Sequence, residues 1–91
     1  MNSEMAYMLD VIDQLTFDPD TDYHRKDEGF NWVKTTSREL EEATGFSKAK
    51  IRIFLHELKG RKLITNYQWS GVNAGWYCTT KGHQVAVYMR S

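Results

Sequence analysis

One glycine between two short apolar-periodic segments constrains this chain more than any other feature. From Thr36 to Ile64 the sequence reads TSRELEEATGFSKAKIRIFLHELKGRKLI. Thr36 is followed three residues later by Glu39, a capping pair that suits a helix N-terminus. Leu40 and Ala43 form a short apolar stripe before Gly45, which lies one residue beyond Thr44 and can end that helix in a left-handed conformation. Ser47 can cap a second helix reaching to about Lys59, in which Ile51, Phe54, Leu55 and Leu58 fall at i, i+3, i+4 and i+7. Gly60 can end it, and Leu63 and Ile64 resume an apolar run with strand preference.

Two short helices joined by a tight glycine-containing turn predict a helix-turn-helix. Upstream, Ser3 can cap a helix over residues 3–16. Met5, Met8, Leu9, Ile12 and Leu15 lie at helical spacing there, with Glu4, Asp10 and Asp13 on other faces. A methionine-rich stripe of this kind reads as core or as a dimer contact. Asp18-Pro19-Asp20 stops the helix, and residues 17–29 read as an acidic polar loop. Phe30 to Thr35 has strand character. Beyond the motif, Leu63 to Trp69 reads as a strand, Ser70 to Gly75 as a turn, and Trp76 to Thr79 as the returning strand. Trp69 and Trp76 flank that turn and can face each other across the hairpin. From Thr80 a last helix presents Val85, Tyr88 and Met89 to an apolar surface.

The expected architecture is therefore α+β and mostly helical, within a single domain over residues 1–91. Helix, short strand, helix pair, two-stranded hairpin and helix follow in the order of a winged helix-turn-helix. The stretch Gly45 to Ile64 resembles the turn, recognition helix and first wing strand of winged-helix regulators. Tyr77 to Ala86, YCTTKGHQVA, is similar to the Leu-Thr-x-Lys-Gly segment that follows the wing in regulators of the MarR and PadR types. The resemblance covers about residues 32–90. Gly60 departs from the polar helical residue usual in such proteins, and Arg61-Lys62 replaces their Lys-Gly before Leu63. What the resemblance implies is sequence-specific binding of double-stranded DNA by a small prokaryotic or viral transcriptional regulator that occupies a promoter or operator.

Charge supports a divided surface. The chain is neutral overall, yet residues 1–31 carry eight acids against Arg25 and Lys26, while residues 32–91 carry ten bases against four acids. Such a split fits a basic binding surface on a less basic support. On the helix after Ser47, the side opposite the apolar stripe presents Ala49, Ile53 and His56, flanked by Lys50 and Arg52. The N-terminal part of such a helix enters the major groove. Lys48 and Arg52 are candidates for guanine edges or phosphates, with Ser47 beside Lys48 at the helix N-terminus in the same candidate surface, and Ala49 and Ile53 for thymine methyls. Thr35, Thr36 and Ser37, with the free N–H groups of the first motif helix, are candidates for a phosphate. Arg61, Lys62 and Lys81 near the base of the wing, and Asn73 in its turn, complete the set. The turn carries no cation to offer a minor groove.

Homodimerisation is expected because one such helix reads few bases; the first helix and Val85–Met89 are the candidate surfaces. The competing reading is an interaction module that docks on a polymerase, replication or nuclease partner through residues 17–29. No cofactor is implied and no enzyme signature is present. His24, His56, His83 and Cys78 lack metal-ligand spacing, and Pro19 breaks the resemblance of Asp18, Asp20 and Asp22 to a calcium loop. One cysteine excludes an internal disulfide and, with no secretory leader or apolar span in view, points to the cytoplasm rather than a membrane.

Overall fold

Asn2, not Ser3, opens the first helix: its Oδ1 accepts from the Met5 N–H at 2.7 Å. The computed structural model describes residues 1–16, 35–69 and 72–91. The acidic loop 17–29 and most of the expected strand 30–35 lie outside the described residues. Elements follow in the order α1 (Ser3–Thr16), α2 (Ser37–Thr44), α3 (Lys48–Gly60), β1 (Ile64–Trp69), β2 (Val72–Cys78) and α4 (Thr80–Arg90). Four helices and a two-stranded antiparallel wing make a mostly helical winged helix-turn-helix.

The helix-turn-helix forms where the capping signals put it. Thr36 Oγ1 accepts from the Glu39 N–H at 3.2 Å while donating to Glu39 Oε1 at 3.1 Å. Gly45 ends α2 at φ 75°, its N–H returning to the Glu41 carbonyl. That left-handed conformation is one a Cβ would disfavour. Ser47 then caps α3 by accepting from the Lys50 N–H at 3.2 Å. At the far end Gly60 stays helical. The left-handed residue is Lys62, at φ 62°. The chain reverses there because the Leu63 N–H must reach the Leu58 carbonyl.

The core gathers Met5, Met8, Leu9 and Ile12 of α1, Leu40 of α2, and Ile51, Phe54, Leu55 and Leu58 of α3. Leu63, Ile64 and Cys78 close it from the wing. The methionine face of α1 is therefore interior and unavailable as a dimer surface. Ala43 is exposed, so Leu40 alone anchors α2.

Two features of α1 and α4 differ from expectation. Asp13 is buried, 1% exposed, instead of facing solvent. Its Oδ1 lies 2.8 Å from His83 Nδ1 and its Oδ2 accepts from Arg90 Nη2 at 2.6 Å. Arg90 Nε also donates to Asp10. Burial disfavours the Arg90 charge, but hydrogen bonds and attraction from Asp13 and Asp10 outweigh it and raise its pKa. The second difference is the face α4 turns inward. Gly82 and Ala86 are buried and Val85 is half-buried, whereas Tyr88 is 81% exposed and Met89 is also exposed.

Small residues on that face follow from how closely α4 approaches the wing base. Thr79 caps α4 by accepting from the Gly82 N–H at 3.0 Å. The same hydroxyl contacts the Lys62 carbonyl at 2.8 Å and the Leu63 carbonyl at 3.2 Å. Gly82 is brought so near that a Cβ on it would lie 1.8 Å from the Leu63 oxygen.

The wing is longer than Trp76–Thr79 suggests, because β2 begins at Val72. Pairing runs from Ile64 opposite Cys78 to Trp69 opposite Val72, with a register shift after Tyr67. The tryptophans are consequently not partners: Trp76 stands opposite Asn66. Its other neighbour is Thr35, which exchanges both backbone hydrogen bonds with it at 2.7 and 2.8 Å. This isolated bridge is what the structure describes of the expected strand before the motif.

Candidate nucleic-acid interface

Helix α3 buries Ile51, Phe54, Leu55 and Leu58 and leaves its opposite side open. Lys48, Ala49, Arg52, Ile53 and His56 are all exposed on that side. Ile53 stands 64% exposed, an uncommon place for a large aliphatic side chain beside an alanine and two cations. Ser47 is exposed at the helix start and spends its hydroxyl on the cap.

The cations of α3 and its C-terminal turn are not equivalent. Lys50 donates to Glu4 of α1 at 2.9 Å and lies 5.3 Å above the ring of Phe46. Phe46 in turn packs edge-on against Tyr7 and Phe54. Lys50 thus helps fasten α3 to α1, which distinguishes it from its expected neighbours on the open face. Arg61 donates from Nε and Nη2 to Glu57 one turn earlier, at 3.3 and 3.1 Å. Lys48 and Arg52, by contrast, make no ion pair among the described residues. Ion pairs at the surface contribute little stability, but they do decide which charges an approaching polyanion meets uncompensated.

These uncompensated cations border a groove of about 390 Å³. Lys48, Arg52, His56 and Lys59 form one wall along α3, with Ile51 and Leu55 beneath them. Ser37 from the first turn of α2 stands at one side and Trp76 of β2 at another. Lys59 Nζ sits 5.9 Å from the centre of the Trp76 ring. None of the described lining residues is a carboxylate.

The structure therefore brings Ser37, Lys48, Arg52 and His56 together at one groove and sets Ala49 and Ile53 beside it on α3. Thr35 is fully buried, so its side chain does not reach the surface as a phosphate contact, and Thr36 is half-buried and occupied with its cap. Lys62 is exposed beyond the end of α3, and Asn73 lies within β2 opposite Gln68 rather than in a turn. Lys59 and Trp76 were not among the expected site residues. Periodicity does place Lys59 on the same side as Arg52, seven residues on. Nothing local places Trp76 there, since that depends on the hairpin register.

A helix-turn-helix followed by a wing, with the second motif helix exposed, defines a winged-helix fold. Similar solved structures are those of MepR from Staphylococcus aureus. MepR, a transcription regulator of the multidrug efflux pump MepA, superposes with a TM-score of 0.68 at 16% identity, over 99% of this chain and 56% of its own. MepR bound to ethidium bromide gives 0.67 at 15% identity, over 99% of this chain and 55% of its own. The chain thus spans little more than half the length of these neighbours, and at such identity the likeness is one of fold. No protein-family model matches the sequence, and no curated protein sequence matches it.

Proposed function

We propose that this protein binds double-stranded DNA in a sequence-specific manner through α3 and acts as a small transcriptional regulator by occupying a promoter or operator. The carrying observation is the open face of α3, where exposed Ile53 and Ala49 adjoin Lys48 and Arg52, cations without an ion-pair partner among the described residues. In the major groove Arg52 donates to guanine O6 and N7 or to phosphate, while Ile53 packs on a thymine methyl. Ser37, Lys48 and His56 contact the backbone and fix the register of the helix. The fold shared with MepR, a transcription regulator, supports this reading.

The protein works as a homodimer in this reading, because two helices one turn of duplex apart double the bases read. The exposed apolar side chains Val87, Tyr88 and Met89 of α4 offer the contact, in place of the methionines of α1. In this reading the protein acts on DNA in the cytoplasm. No described helix is long and apolar enough to cross a membrane.

The test is fluorescence-anisotropy titration of a mixed-sequence duplex at low and near-physiological salt. Wild type is compared with Lys48→Glu/Arg52→Glu, both confirmed as folded by circular dichroism. Binding that weakens steeply with salt and is lost in the folded variant supports the assignment. Absence of binding by the folded wild type at low salt refutes it.

A further inference from the structure

We infer that the groove between α3 and β2 is a seat for one sugar-phosphate strand of the bound duplex, with Lys59 and Trp76 as its outer end. The inference rests on the DNA-binding reading above and extends it to residues that reading does not use. A duplex that admits α3 to its major groove must lay a bounding backbone strand alongside that helix. Beside α3, at the side where its cations are uncompensated, lies this groove.

Its lining matches a phosphodiester strand in three respects. The cations run in a row from Lys48 to Lys59, which at 1.5 Å per residue spans about 16 Å. Each strand of the duplex advances about 3.4 Å along its axis per phosphate, so the row is long enough to follow several. Next, the floor of Ile51 and Leu55 with the wall of Trp76 is apolar, as the deoxyribose between phosphates requires. Finally, Lys59 sits 5.9 Å from the centre of an aromatic ring and has no carboxylate partner among the described residues. Such a contact orients the ammonium and leaves its charge free for an anion. A carboxylate partner, as on Lys50 and Arg61, would cancel it.

The same arrangement accounts for a wing without cations at its tip. Here the wing serves the complex through its base, where Trp76 and Lys59 meet, and not through an arginine or lysine reaching into the minor groove.

The experiment measures the salt dependence of duplex binding by anisotropy for wild type, Lys59→Gln, Lys59→Arg and Gln84→Glu, with folding checked by circular dichroism. Gln84 is exposed on α4, and its substitution changes net charge by the same unit away from the groove. Loss of one phosphate contact in Lys59→Gln lowers the slope of log K against log salt by about 0.9 and weakens binding about eightfold at 0.1 M salt. Lys59→Arg keeps the wild-type slope, and so does Gln84→Glu. Wild-type binding with an unchanged slope in Lys59→Gln, or with an equal change in Gln84→Glu, overturns the seat while leaving α3 as the reading helix. Failure of wild type to bind duplex overturns both.

Discussion

Replacing Gly82 by alanine adds one methyl group at the point where α4 touches the wing base. The ideal Cβ position lies 1.8 Å from the Leu63 carbonyl oxygen, 2.8 Å from its carbon and 3.3 Å from its Cα. All three are backbone atoms, so no side-chain rotation relieves the overlap. A carbon needs more than 3 Å from an oxygen, and α4 must therefore move away by over an ångström. That motion pulls Thr79 from the Leu63 and Lys62 carbonyls and lifts Ala86, which has no solvent exposure, off the core. Overpacking costs about 2 kcal/mol, and two weakened hydrogen bonds cost about 1 kcal/mol each. Alanine returns about 1 kcal/mol through helix propensity. The net loss is about 3 kcal/mol, equivalent to a Tm lower by roughly 15 °C for a chain of this size. Gly60 is the internal comparison: it lies within α3 and a Cβ there meets nothing within 4 Å. Gly60→Ala is expected to gain about 0.5–1 kcal/mol from propensity alone. Urea unfolding followed at 222 nm measures both. If Gly82→Ala is as stable as wild type, or gains like Gly60→Ala, then α4 does not approach Leu63 as closely as described.

Three further substitutions test other local features by the same unfolding assay. Lys62→Gly removes a side chain from a left-handed position and is expected to stabilise by about 0.5 kcal/mol, since relief of roughly 1 kcal/mol is offset by a more flexible unfolded chain. Thr35→Val replaces a buried hydroxyl that has no hydrogen-bond partner among the described residues and is expected to raise stability by up to about 1 kcal/mol; a clear loss would mean that the hydroxyl is satisfied. Asp13→Ala strips the buried carboxylate from His83 and Arg90. Breaking a buried pair usually costs about 3–5 kcal/mol, and because the His83 and Arg90 side chains keep 37% and 36% exposure the expected loss is about 2 kcal/mol.

What could be read from the sequence was what neighbouring residues decide among themselves. Thr36 with Glu39, Gly45 and Ser47 satisfy their hydrogen bonds within a few positions, so their roles at the helix ends were legible before any packing was known. The buried face of α3 followed from its period in the same way. Asp13 was misplaced because its partners lie 70 and 77 residues away, and a carboxylate beside Ile12 gives no local sign of them. The inward face of α4 differs from expectation because large apolar residues ordinarily mark a helix's packing surface. Close approach of the helix instead selects Gly82 and Ala86 and leaves Tyr88 outside. The expected pairing of Trp69 with Trp76 assumed a turn running to Gly75. With β2 starting at Val72 and the register shifting after Tyr67, the two residues belong to different rungs. Trp76 could enter the candidate site only through that register.

The charge division along the chain acquires a more specific meaning once these contacts are known. Residues 32–91 hold six more bases than acids, yet that excess is not spread evenly over the open side of α3. Glu4, from the acidic N-terminal part, takes Lys50, and Glu57 takes Arg61. Both pairs are half-exposed, so neither contributes much to folding. Their consequence is directional: they neutralise one flank of α3 and its C-terminal turn and leave Lys48, Arg52 and Lys59 facing the groove beside Trp76. A polyanion approaching α3 is therefore attracted toward the wing side of the helix and away from α1. Glu4→Gln frees the Lys50 ammonium and widens the attractive surface. In the DNA-binding reading it is expected to increase affinity for mixed-sequence duplex at low salt and steepen the salt slope by up to about 0.9, one further phosphate contact. An unchanged slope in a folded Glu4→Gln protein would mean that Lys50 faces α1 for reasons of packing against Phe46 and has no anion within reach.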